Sequence, residues 1–236
     1  LSANFHVITG TIQAAKMIEE SIKRAGLTLK NLVLEPIASS AAVLSEKEKE
    51  AGVVLVDIGG GTTDIAIFHK NVIRHSAVIP FGGQVITNDI QHGCHILEDQ
   101  AEKLKTKFGA AISVDSAKHQ VVSIPRVNGG QPRQISVRTL SEIIRCRMGE
   151  IFELVDMEIR ASGYHGKLLA GIVLTGGGSK LRHISQLAEY ITGIDARVGE
   201  PIERLASNFD AELRHPLYAT GIGLCEMGFR FEQTLG

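Results

Sequence analysis

Two hydrophobic periods alternate along this chain. Residues 53–56, Val-Val-Leu-Val, form an unbroken apolar run closed by Asp57, the pattern of a strand buried on both faces. Residues 64–69 and 72–79 read as two further strands with Lys70-Asn71 between them, so the region predicts a three-stranded meander. Short apolar runs at 5–8 and 32–34 predict two more strands. Between those runs Ile12, Ala15, Ile18, Ile22 and Ala25 recur at helical spacing, with Thr11 as a cap and Gly26 as a stop. A helix of small residues, 38–44, follows Glu35-Pro36. Residues 45–50, a serine and five charges, read as a solvated surface turn.

Beyond the meander, helical spacing runs from 85 to 108 with an interruption near Gly93-Cys94. Residues 121–124 and 134–137 flank a Pro/Gly-rich turn and predict a hairpin. A long amphipathic helix, 139–162, follows. A second strand, 171–175, leads into three glycines that open a helix near 181–191. A strand at 196–198 and a last helix from Leu217 to about Phe229, opened by Pro216, complete the pattern. Strands and helices in alternation mark an α/β protein.

Composition narrows the function classes. At 236 residues, 44% hydrophobic and 22% charged, the chain is long and apolar enough for a large core. A formal net charge of -1 gives no basic excess for nucleic acid. No apolar run approaches the roughly 20 residues of a membrane span. Cys94, Cys146 and Cys225 form no CxxC pair, and His92 and His95, three apart, have no carboxylate placed to complete a metal site.

The candidate chemistry lies at two corners where a strand meets three glycines. In VDIGGGTTD, Asp57 stands at a strand end and Gly59, Gly60 and Gly61 allow a tight turn whose N–H groups can cradle phosphate oxygens. Thr62 and Thr63 add hydroxyls. Asp57 is placed to hold Mg2+ through water, an ion that favours oxygen ligands and keeps several waters; Asp64 is an alternative turn-orienting carboxylate. No GxxxxGK[ST] loop occurs. In IVLTGGGSKL, Gly176, Gly177 and Gly178 let a flat or anionic group approach the backbone. Glu102 and Lys105, three apart on one helix face, read on their own as a surface ion pair.

Paired α/β halves with two such corners resemble the actin, Hsp70 and sugar-kinase superfamily. Within it the chain resembles the FtsA family of bacterial cell-division proteins, on FHVITGTIQAAKMIEESIKRAGL, LEPIASSAAVLSEKEKEAGVVLVDIGGGTTDIAIF, IPFGGQVITNDI, AEKLKTKFG, GIVLTGGGSKL and HPLYATGIGL, in order over nearly the whole chain. The resemblance implies an actin-like ATPase (ribonuclease H-like) lobe with an inserted α+β subdomain. It also implies ATP and Mg2+ as cofactors. By it, Gly82 and Gly83 sit beside the phosphates, Glu102 and Lys105 touch the ribose, and Gly176–Gly178 line adenine and ribose. Glu35 becomes a hinge residue, with no catalytic residue assigned and any hydrolysis slow and regulatory.

The resemblance further implies self-association into actin-like filaments and docking of the C-terminal tail of the tubulin-like ring protein FtsZ. Docking would use the helix 139–162, with Arg147 first and Arg145 and Glu150 beside it. Tethering of the FtsZ ring to the inner face of the cell membrane would run through a C-terminal helix, expected to lie outside this sequence. The first phosphate loop and a self-association subdomain are likewise expected upstream, so the chain reads as a fragment with weakened nucleotide binding. The expected parts are 1–45, a remnant of the first lobe; 46–83, the phosphate-loop meander; 84–170, a capping and docking subdomain; 171–213, the adenosine loop; and 214–236, a helix packing back on the remnant. The alternative readings are a pilus-assembly actin-like ATP-binding protein and a small-molecule kinase, for which no general-base segment is found.

Overall fold

The computed structural model describes residues 5–113, 120–126, 129–201 and 210–235. Helix α1 (Ile12–Arg24) starts at Thr11, whose side chain accepts the N–H of Ala14, and it buries none of its residues. Helix α2 (Glu35–Val43) takes Pro36 in its first turn, where the missing N–H costs nothing. Residues 45–50 are not a turn. Ser45 and Glu48 form a reciprocal capping box that starts helix α3 (Glu46–Ala51), satisfying donors that the charged run leaves open.

The runs at 5–8 and 32–34 are not strands either. A short apolar run becomes a strand only where a neighbour offers a backbone edge, and among the described residues none pairs with them. Phe5 stays 84% exposed.

The meander forms as strands β1 (Val53–Ile58), β2 (Thr63–His69) and β3 (Val72–Ile79). Helix α4 (Gly83–Cys94) ends at left-handed His95, and α5 (Glu98–Phe108) follows. Strands β4 (Val121–Ile124) and β5 (Arg133–Ser136) make a separate antiparallel pair leading into the 25-residue helix α6 (Val137–Ala161). Strand β6 (Ile172–Thr175), helix α7 (Ile184–Thr192), strand β7 (Ala196–Val198) and helix α8 (Ala219–Leu235) complete the order.

The main sheet runs β3-β2-β1-β6-β7, with the meander antiparallel and β1, β6 and β7 parallel. Its two faces sort by the two-residue period of a strand. Val54, Val56 and Ile58 of β1, with Ile65 and Ile67 of β2 and Ile172 and Leu174 of β6, pack beneath α4–α7, against Ile144, Met148 and Phe152 of α6. Val53, Leu55, Ala66, Phe68 and Val173 face the opposite side, where α2 and α8 lie against each other. There Gly223 of α8 comes so close that a Cβ would fall on the Ala38 carbonyl of α2. Burying a valine or leucine side chain is worth about 1.5–3 kcal/mol, so a central strand buried along both faces anchors the fold.

Candidate functional site

Because β1 and β6 are parallel neighbours, both glycine corners leave the sheet at the same edge, beyond the strand C-termini, where open α/β sheets place ligands. The first corner is tied down by its own chain. The Gly59 N–H donates to the Thr62 carbonyl at 2.9 Å. From the start of α4, the N–H groups of Gly83 and Gln84 donate to the Gly59 and Gly60 carbonyls at 2.9 and 2.8 Å. A Cβ on Gly82 would lie 2.6 Å from the Gly59 carbonyl oxygen, so the Gly82-Gly83 pair stacks directly on the corner.

The second corner is held by contact with the first strand. Gly176 is left-handed at φ +80°, and a Cβ there would fall on Asp57 Oδ1 and within 2.6 Å of the Ile58 carbonyl oxygen. Gly178 lies against the Ile58 side chain as closely. These glycines open a single 3-10 turn, Gly177–Lys180, and the helix expected near 181–191 follows it as α7. Helix α7 begins only at Ile184, after left-handed His183 breaks the run.

Between the corners lies a cleft of about 600 Å³. Asp57, Gly59, Gly60, Gly83, Glu102 and Lys105 line one side, and Gly176, Gly177 and Gly178 the other. The lining does not include Gly61, Thr62, Thr63 or Gly82. Thr63 is buried and donates to the Phe81 carbonyl at 2.8 Å, and Thr62 donates to Asp64 Oδ2 at 3.0 Å, so both hydroxyls are engaged within the chain.

Asp57 is nearly buried at the end of β1, and its Oδ2 accepts from Ser39 Oγ of α2 at 2.7 Å. Ser39 in turn meets Thr220 of α8 at 2.9 Å. Burial raises the Asp57 pKa above the ordinary carboxylate value, the charge of Asp64 adds to this, and the Ser39 bond opposes it. Glu35, on the same cleft wall, is raised by burial and then by the charges of Asp57 and Asp64. Carboxylates that repel each other and are partly desolvated would be favoured in their ionised forms by a nearby positive charge. An oxygen-seeking divalent ion fits that donor set. Among the described residues no group of three His, Cys, Asp or Glu side chains makes a direct metal cage.

Glu102 and Lys105 of α5 pair at 2.7 Å. Lys105 Nζ also donates to the Gly83 carbonyl at 2.8 Å and to Thr87 Oγ1 at 2.7 Å, so the pair reaches into the first corner. Burial acts to raise the Glu102 pKa, but hydrogen bonds from Lys105 and Thr87 outweigh it and hold the group low.

The three residues expected to meet a partner divide between two grooves. Arg147 and Glu150 line a hollow of about 390 Å³ between α4 and α6, with Thr139, Ile143 and Cys146. Arg147 grips Asp89 of α4 through both ends of its guanidinium, at 2.6 and 3.1 Å, and pairs with Glu150. The Asp89 bond raises the Arg147 pKa further. Arg145 faces a different groove, beside Leu187 and Tyr190 of α7. Sequence reasoning did not find Asp89, Ser39 or Thr220, because each is joined to its partner only by the packing of a distant helix.

The fold and the two-cornered cleft define an actin-like protein. The solved structure of MreB5 of Spiroplasma citri bound to ADP superposes with a TM-score of 0.78 at 19% identity, over 96% of this chain and 68% of that one. A PilM-PilN type IV pilus biogenesis complex gives 0.67 at 21% identity, over 92% of this chain and 58% of that one, a likeness of fold alone. Residues 54–223 match the family model of cell division protein FtsA, and the chain belongs to that family. It is 41% identical over 230 residues to cell division protein FtsA of Pseudomonas aeruginosa and 36% identical over 235 residues to that of Escherichia coli K12. Those matches cover 98% and 97% of this chain and 55% and 56% of the relatives, so the chain spans about half their length.

Proposed function

We propose that this chain carries the nucleotide-holding lobe of an FtsA-type division scaffold and takes ATP with Mg2+ in the cleft between its glycine corners. One observation carries the reading. Gly60, which lines the cleft, has no left-handed φ, and a Cβ on it would meet nothing within 4 Å. The chain itself does not require glycine there, whereas a phosphate resting on the backbone does. Gly176–Gly178 then face the base and ribose, Glu102 and Lys105 reach ribose hydroxyls, and Asp57 holds Mg2+ through water. Any hydrolysis in this reading is slow and regulatory.

The scaffold reading extends to the protein's partners. In the full-length protein the lobe assembles into actin-like filaments and joins FtsZ to the membrane at the division site. The hollow around Arg147 receives the acidic FtsZ tail, whose carboxylates exchange with Asp89 and Glu150 for the guanidinium.

Thermal unfolding with ATP and Mg2+ tests the cleft. A melting temperature that climbs with nucleotide concentration supports it; no change at millimolar nucleotide in a folded sample removes it. Calorimetric titration with an FtsZ tail peptide tests the hollow. Affinity should fall at least ~10-fold in Arg147→Ala, the loss of one charge-assisted bidentate pair. Equal affinity in both proteins would place the tail elsewhere.

A further inference from the structure

A third groove, distinct from the cleft and from the Arg147 hollow, lies where the end of α4 and the start of α5 meet the β4–β5 pair. It measures about 470 Å³. Its cationic side chains are Arg126 and Arg133, from the two sides of the hairpin, with the His95 imidazole from the end of α4. The apolar part of its wall is Ile96, Leu97, Ile124 and Pro125. The groove is braced rather than incidental. Gln100 of α5 accepts the Leu97 N–H at 3.1 Å and donates to the Pro125 carbonyl at 2.9 Å, so one amide locks helix and hairpin together.

Its lining differs in charge from the cleft and from the two grooves along α6. Arg138, Arg147, Arg160 and Arg197 each hold a carboxylate of this chain. Among the described residues Arg126 and Arg133 hold none, and none of the described residues lining the groove is a carboxylate. Glu98 and Asp99, which follow Leu97 at the start of α5, are engaged by Gln84 and Lys103. Both other grooves on α6 include Glu142, so each carries its own acid. Two arginines with no carboxylate partner among the described residues, beside exposed apolar side chains, Leu97 being 48% exposed, form a surface complementary to carboxylates that flank an apolar residue.

We propose that this groove is a second protein-docking site, and that it takes a short acidic segment of a partner in which aspartate or glutamate brackets a leucine-, isoleucine- or valine-type side chain. The arginines pair with the carboxylates, and the apolar side chain settles between Leu97 and Pro125. This assignment does not depend on the nucleotide cleft or on the Arg147 hollow.

A random heptapeptide library displayed on phage, panned on this chain and counter-selected on an Arg126→Glu/Arg133→Glu double variant, tests it. The surviving pool should be enriched in Asp and Glu next to aliphatic residues. Synthetic copies should bind at least ~10-fold more weakly to the double variant, and unchanged to Arg147→Ala. Arg126→Ala, at an exposed position, gives the same reading without charge reversal if the double variant melts early. No enrichment, equally tight binding to the variants, or a neutral or basic motif overturns the proposal. So does a dimer in sedimentation that the double variant dissolves, since the occupant is then a second copy of this chain.

Discussion

The two glycine corners look alike in sequence and differ in what their glycines are for. At the second corner the chain itself demands them. Gly176 is left-handed and pressed against Asp57 and Ile58, and Gly178 is pressed against the Ile58 side chain. At the first corner Gly60 and Gly61 meet open space and ordinary backbone geometry. One triplet lets two strand ends touch; the other leaves a surface bare. A glycine run is therefore evidence for a ligand in its own right only where the protein has no use of its own for the missing Cβ.

The sharpest way to break this contrast is Gly176→Ala. Strain at a positive φ adds to a clash with backbone, so urea unfolding should show a loss on the order of 3–5 kcal/mol. A loss below one would mean that the corner yields and the contrast is false. Gly178→Ala should cost less, about 1–3 kcal/mol, because no positive φ adds strain to its clash with Ile58.

Asp57→Asn separates stability from binding. The folded chain holds the Asp57 proton more tightly than the unfolded chain does, since its pKa is raised by burial. Ionisation therefore costs stability, and the cost grows as pH rises from the ordinary aspartate value of 3.8 through the raised range. At pH 7 the asparagine variant should melt higher than its parent, with the gap closing toward pH 4, and the rise in melting temperature with ATP and Mg2+ should vanish. A lower melting point at neutral pH would show that the Ser39 bond outweighs desolvation.

The smallest effect on stability belongs to Gly60→Ala, within about 0.5 kcal/mol, as for a surface change that touches nothing. Nucleotide affinity should nevertheless fall at least ~10-fold, because the new methyl occupies the phosphate seat. Retained affinity would dissolve the distinction between the corners from the other side.

Much of this was legible in the chain, and unevenly so. The apolar run at Val53–Val56 names its strand because both faces are buried, and the 25-residue α6 declares itself by a long, regular stripe. The runs at 5–8 and 32–34 misled because a strand is a property of a pair, and three or four residues carry no sign of the missing partner. In α3 the signal was present and outweighed: Ser45-x-x-Glu48 is a capping box, but the density of charge suggested a turn. Within the cleft, the residues that line it by backbone were readable from glycine spacing. Those that hold Asp57 in place were not, since Ser39 and Thr220 belong to an alanine- and glycine-rich pair of helices whose composition says only that they pack closely.

That pairing sets an order of events. Ser39 and Thr220 are separated by 181 positions, and Asp57 hangs from their meeting point. The meander and its glycine turn can assemble from neighbouring residues soon after they leave the ribosome, while the hydroxyl support of the buried acid waits for almost the whole lobe to be made. Contacts between such distant positions form late and slowly. A nascent chain would thus expose the bare glycine turn before it possesses a finished acid beside it, and the cleft would be complete only with the closing of α8 onto α2.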